Sequence, residues 1–267
     1  MPIRNDFLSL PRLLFILALG LLAIVAFPTR ALALGDYIGV EAAPWFQGFD
    51  GKIAIDSNGT QGTLIDLKND LGLENRDTTP MGRVWFRWGK SRLILDYYDS
   101  SRTGRNVLSR SVTFNGTTYN GGETVSTDFG LKLMQAQLRF TPIDLKVVEF
   151  GFGLGLSAAK VNFDLDGSVN GRTTFDKTVP FPTLNAGVVV KFIPGCHLRA
   201  EVSGLPLTIS GKHLDVLDGR VQLESYFLHS FGIFGGYRVY RFSVDANDYG
   251  HAESTFKGPF IGLGLKF

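Results

Sequence analysis

The chain has 267 residues, 44% of them hydrophobic and 19% charged, which suits one large folded domain and excludes a disordered polyelectrolyte. Its 27 basic and 25 acidic residues nearly cancel, which excludes a partner held by net charge, nucleic acid above all. A single cysteine, Cys196 in "IPGCH", excludes an intramolecular disulfide.

Residues 1–33 read as an export signal. Arg4 and Arg12 form a basic start, Leu13 to Phe27 is an unbroken apolar run, and "ALA" at 31–33 offers small residues for cleavage. Fifteen apolar residues fall short of the roughly 20 that a spanning helix needs, so a retained anchor is the lesser reading. The expected mature chain, 34–267, loses Arg4, Arg12, Arg30 and Asp6 with the signal, which leaves 24 basic and 24 acidic residues.

Beyond the signal, apolar residues recur with period two. In "VVEFGFGLGLSAA" at 147–159, Val148, Phe150, Phe152, Leu154 and Leu156 share one face, and Glu149, Gly151, Gly153, Gly155 and Ser157 the other. Ten such segments are expected in chain order, near 37–48, 81–89, 91–102, 127–141, 145–161, 181–193, 197–207, 219–228, 231–245 and 256–267. Eight to twelve strands fit the pattern, and 219–246 is its least regular part. Most segments reach the 9–11 residues with which a tilted strand crosses a bilayer.

The connections alternate in length. Long ones are expected at 49–80, 103–126, 162–180, 208–218 and 246–255, and tight turns at 89–91, 142–144, 194–196 and 229–230. Long outer loops against short inner turns, with both ends on the inner side, is the asymmetry of an outer-membrane barrel. The region 49–80 reads as a long first outer loop or a cap, in which Leu64, Leu67 and Leu71 suit a short capping segment beside Asp66, Lys68 and Asp70.

The polar faces carry Glu41, Arg83, Arg87, Asp96, Arg139, Glu149, Lys191, Arg199, Glu201, Glu224, Arg238 and Lys266. A basic side chain facing lipid near the midplane costs roughly 2–4 kcal/mol, so in a membrane these residues form a charge network inside the lumen. A secreted lipocalin-like barrel would reverse inside and outside, and alternation alone does not separate the two. Loop asymmetry favours the membrane, as do the aromatics Trp45, Phe46, Trp88, Tyr97, Phe140, Phe192 and Tyr237, which suit interfacial girdles. The fold class expected is therefore all-β, a closed antiparallel transmembrane barrel of about ten strands.

A cleavable signal, ten alternating segments and a terminal "GLGLKF" ending in Phe267 resemble the small outer-membrane β-barrel proteins of Gram-negative bacteria, across the whole mature chain. The resemblance implies outer-membrane lipid as surroundings. It also implies that Ile261, Leu263, Leu265 and Phe267 form the signal read by the barrel-assembly machinery. Being architectural, it implies no activity and no oligomeric state.

Catalytic and ligand motifs are weak. "GKS" at 89–91 lacks the phosphate-loop glycine, because Val84 stands there, and "GFGLG" at 151–155 alternates along a strand, where glycines thin the wall for a large neighbour. Asn162, Asp164 and Asp166 before Gly167 match the start of a calcium loop, but Thr173 stands where the bidentate glutamate belongs. His213 with Asp215, and His251 with Glu253 and Ser254, are the only places where lipid hydrolysis or acyl transfer could be staged; His197 and His229 sit in turns. The expected role is structural or a passive passage for small solutes through a narrow or plugged lumen, with no cofactor and no catalysis. A lipid-modifying enzyme, and an adhesin acting through the outer loops, stand as alternatives.

Overall fold

A computed structural model describes residues 37–57, 61–209, 212–227, 230–246 and 250–267. The signal expected at 1–33 and His229 lie outside the described residues. The strands are β1 (Ile38–Ile55), β2 (Ile65–Asp66), β3 (Arg76–Trp88), β4 (Ser91–Val107), β5 (Val112–Phe114), β6 (Thr117–Tyr119), β7 (Thr124–Asp144), β8 (Val148–Gly167), β9 (Gly171–Ile193), β10 (Cys196–Ile209), β11 (Lys212–Phe227), β12 (Phe231–Ala246) and β13 (Gly250–Lys266). Ten of them pair antiparallel in chain order, and β13 returns to β1 from Gly39↔Lys266 to Ile55↔Gly250, which closes the sheet into a barrel. The short β2 adds to β1, and β5 with β6 makes a separate hairpin. That hairpin turns on Asn115 (φ 45) and Gly116 (φ 82), the left-handed pair that an Asn-Gly turn requires.

The expected loops are corrected. Most of 162–180, 208–218 and 246–255 is strand, β1 runs on to Ile55, and β4 to Val107. The β7–β8 turn falls at 145–147 and not at 142–144, because a bulge between Phe140 and Ile143 lets β7 continue to Asp144. The strands were expected to stop where their apolar alternation stopped. They continue because the alternation changes sides there.

On β8 the outward residues below that point are Phe150, Phe152, Leu154 and Leu156, with Leu154 67% exposed. Above it the outward residues are Asn162, Asp164 and Asp166, while the inward Phe163 and Leu165 are fully buried. On β7 the outward Met134, Ala136, Leu138 and Phe140 give way to Lys132, Asp128 and Ser126, and the inward Arg139, Gln137 and Gln135 to Leu133, Leu131 and Phe129. β13 changes between Pro259 and Lys257 on its outer face. The nine residues from Pro259 to Phe267, tilted by about 40°, span roughly 23 Å, the height of a lipid-facing band. The barrel therefore has two storeys: a lower one with an apolar exterior and a polar lumen, and an upper one with a polar exterior and an apolar core. A soluble barrel has no reason to invert partway along its strands, as β7, β8 and β13 do.

Phe46, Trp88, Phe140, Phe192 and Tyr237 are exposed on the outer face, and Tyr97 is half-buried. Trp45 is a correction. It shares parity with Glu41 and Gln47, is fully buried, and donates its indole N–H to the Gly258 carbonyl at 3.0 Å inside the barrel.

Candidate functional site

In the lower storey five buried arginines, Arg83, Arg139, Arg199, Arg220 and Arg238, meet five carboxylates, Glu41, Asp96, Glu201, Asp218 and Glu224. Neighbouring strands supply the first contacts. Arg83 Nε donates to Asp96 Oδ1 at 2.7 Å, Arg238 Nη2 to Asp218 Oδ2 at 2.7 Å, and Arg199 Nε lies 2.5 Å from Glu224 Oε1. Others cross the lumen. Glu201 on β10 receives both Arg83 from β3 and, at 2.5 Å, Arg139 from β7, and Arg220 on β11 reaches Glu41 on β1 at 3.0 Å. Glycines make room: a Cβ at Gly187 would stand 2.5 Å from Arg139 Nη1, and one at Gly151 3.0 Å from its Cγ. Inward glycine thus does what the alternating "GFGLG" suggested.

A second cluster sits nearer the short turns. Glu149 lies 2.5 Å from Lys191 Nζ, 3.5 Å from Arg87 and 3.8 Å from Arg92, and Arg87 also reaches Asp144 at 2.5 Å. The twelve expected lumen residues thus divide between two layers, with Lys266 set over the Tyr226 ring at 4.3 Å. Asp218, Arg220, Arg92 and Asp144 were missed. Asp218 and Arg220 share the parity of Glu224 and Gln222, so extending that alternation two steps would have found them.

Above the arginines the lumen is closed by aromatic rings in unbroken contact. Trp45 meets Tyr98 (5.6 Å between centroids), Tyr98 meets Tyr240 (5.7 Å), Tyr240 Phe256 (6.3 Å), Phe256 Phe49 (5.0 Å), Phe49 Phe129 (5.4 Å), Phe129 Phe163 (6.3 Å) and Phe163 Phe114 (4.8 Å). Arg238 tops the charged layer and meets these rings from below, 5.2 Å from the Trp45 ring and 5.0 Å from Tyr98. Residues 65–73 fold into this core, with Ile65, Leu67, Leu71 and Leu73 buried, and the β5–β6 hairpin adds Val112, Phe114 and Tyr119. The segment 49–80 is thus partly strand and partly an inserted cap; Leu67 and Leu71 carry it, while Leu64 is exposed. Arg102 is a fully buried cation of this storey: it donates to the Glu74 carbonyl at 2.7 Å, and burial lowers its pKa to about 10 against the pull of Asp77 and Glu74.

The hairpins are latched by Glu123, before β7. Its carboxylate accepts from the backbone N–H groups of Val169 and Asn170, both at 2.9 Å, from Asn170 Nδ2 at 2.7 Å and from Asn120 N–H at 3.1 Å. Burial works against the charge, but these donors outweigh it and hold the pKa down to about 2. A carboxylate lowered from about 4.3 on folding stabilises the fold fully above that pH, and the contribution is lost as pH falls through about 2. Hydrogen exchange at Val169 and Asn170, corrected for the intrinsic pH effect, is expected to speed up between pH 4 and pH 2 in the native protein and to show no such component in Glu123→Gln. Equal profiles for the two proteins would contradict the latch.

The other candidate sites do not assemble. Asn162, Asp164 and Asp166 lie along the outer face of a strand and not in a loop; Asn162 donates to Asp176 at 2.7 Å and Asp164 takes Arg172 at 2.7 Å. Among the described residues, no three His, Cys, Asp or Glu side chains converge as metal ligands. His251 lies 3.9 Å from both Asp245 and Glu253 on the outer face, but Ser254 is adjacent to Glu253 in an extended strand and so faces the opposite side. His213 bonds Thr208 at 2.9 Å across the β10–β11 hairpin, with Asp215 two residues along the same face.

The sequence matches no protein-family model. No curated protein sequence matches it either. Among solved structures, the chain is similar to the outer membrane protease OmpT of Escherichia coli at a TM-score of 0.58 and 10% identity, covering 90% of this chain and 100% of that one. The translocator domain of the autotransporter NalP of Neisseria meningitidis (TM-score 0.36, 13% identity, 94% of this chain and 95% of that one) and the toluene transporter TodX of Pseudomonas putida (0.34, 7%, 93% and 94%) are more distant. The OmpT likeness shows the fold and carries no activity with it. It shows a closed β-barrel of the same fold, and the apolar belt on the lower exterior is of the kind that faces lipid.

Proposed function

We propose that this protein is a sealed, non-conducting outer-membrane barrel, a structural element whose lumen is filled from both sides. The observation that carries the reading is the continuous aromatic core from Trp45 to Phe114, into which residues 65–73 and the β5–β6 hairpin are packed. Below it the five arginines and five carboxylates balance one another, so that layer offers no surplus charge to recruit an ion. Ion transfer would need several buried pairs to separate at once, each at a cost of several kcal/mol.

Planar-bilayer recording on the refolded protein tests this. No stepwise conductance is expected, in the native protein or after Arg139→Gln, because the seal lies in the upper storey. Steady conductance whose selectivity changes with Arg139→Gln would overturn the proposal and favour a narrow channel. We read the exposed Ile261 and Leu263, with Leu265 and Phe267 in the same row, as the segment that the assembly machinery engages before β13 closes on β1.

A further inference from the structure

The two strands on either side of one seam differ in height. β9 pairs with β10 only as far as Leu184↔Gly204. Beyond that pair β10 continues five residues to Ile209, whereas β9 continues thirteen to Gly171, paired on one side with β8. β9 therefore outruns its neighbour by eight residues, roughly 26 Å. Among the described residues, no strand covers this edge. The comparable gap between β3 and β4 is filled by the chain itself, through Leu73↔Gly104 and the Glu74 N–H to the Thr103 carbonyl at 3.3 Å.

Two prolines show which backbone groups face the opening. Pro180 stands opposite Ala158 and Pro182 opposite Leu156 on β8, and neither has an N–H to give to the ladder. Their parity therefore faces away from β8, and so do Arg172, Thr174, Asp176 and Thr178. The Thr174 carbonyl agrees, since it accepts from Asn115 Nδ2 at 3.2 Å and not from β8. The prolines close the lower part of the edge to further pairing. What stays open is Arg172 to Thr178, apart from the Thr174 carbonyl that Asn115 holds.

The side chains define the partner. On the outer face Arg172 is taken by Asp164 at 2.7 Å and Asp176 by Lys160 at 3.1 Å, so that row is already satisfied. On the inner face Phe175 and Val179 are only partly buried against the core, and between them Lys177 is exposed and has no ion-pair partner among the described residues. We propose that the Arg172–Thr178 edge of β9 takes an added strand from an extended polypeptide partner, with apolar residues opposite Phe175 and Val179 and an acidic residue opposite Lys177. Main-chain hydrogen bonds supply the affinity, and the apolar–acidic–apolar row supplies the selection.

The probe is a fluorescein-labelled peptide of sequence TVTETVT, which reads alike in both directions, titrated with the refolded barrel in detergent micelles and followed by anisotropy. Saturable binding is expected. Thr174→Pro with Thr178→Pro removes two donors while continuing the pattern that Pro180 and Pro182 already set, so the barrel folds, as judged by its heat-modifiable gel mobility. Binding should weaken by about tenfold or more in that variant. Lys177→Glu should likewise weaken TVTETVT and instead bind TVTKTVT. The proposal is overturned if the native protein does not bind the peptide, or if the folded double-proline variant binds it unchanged, which would point to detergent or lipid contact with Phe175 and Val179. It is also overturned if the native protein forms a dimer that the prolines abolish and the peptide cannot displace, since the edge would then serve a second copy.

Discussion

Glu201→Ala is expected to destabilise the refolded barrel by about 3–5 kcal/mol, the cost of leaving a buried cation without its counter-charge. Glu201 takes two arginines from across the lumen, Arg83 and Arg139. After its removal Arg83 keeps Asp96 at 2.7 Å, but Arg139 keeps only Asn185 at 3.0 Å and Gln137 at 3.5 Å, both neutral. Arg139 is buried among inward glycines. A second substitution, Arg139→Gln, should therefore recover stability and not add to the loss, because it removes the orphaned charge. Urea unfolding in lipid vesicles reads both. A loss below about 1 kcal/mol for Glu201→Ala, or additive losses in the double variant, would mean that the layer is wet and weakly coupled.

The second large effect concerns the outer face of a single strand. Leu138 and Ser126 both point outward from β7, twelve residues apart, on either side of the inversion. Leu138→Arg should cost about 2–4 kcal/mol, because the guanidinium enters the middle of the lipid band. Ser126→Arg should stay within about 0.5 kcal/mol, because that face is already polar and solvated. Equal costs would remove the membrane boundary from between the two positions.

The lower storey was legible in the sequence because a period of two with one charged face has few physical readings. The charges could face the lumen or water, and the parity of Glu149, Arg139 and Glu201 followed directly. The upper storey was less legible, since β7, β8 and β13 exchange their faces there without breaking. On β8 the step from Leu154 outward to Phe163 inward looks like the end of a pattern and is a shift of its phase. For that reason outer loops were expected where hairpins stand, and Trp45 was expected in a girdle where it is core. The plug was half-visible in Leu67 and Leu71. Its partners, Phe129, Phe163 and Phe256, come from three separate strands, and only closure of the barrel brings them together.

The account rests on the claim that lipid covers the exterior below the inversion and water covers it above. Nitroxide labels placed one at a time on β8 at Phe152, Leu154, Leu156, Asn162, Asp164 and Asp166, with Cys196 replaced by serine, test it by electron paramagnetic resonance in vesicles. The first three sites should collide with oxygen dissolved in lipid and be shielded from a water-soluble nickel chelate, and the last three should show the reverse. Nickel accessibility at all six sites would contradict a membrane barrel and return the protein to a soluble one.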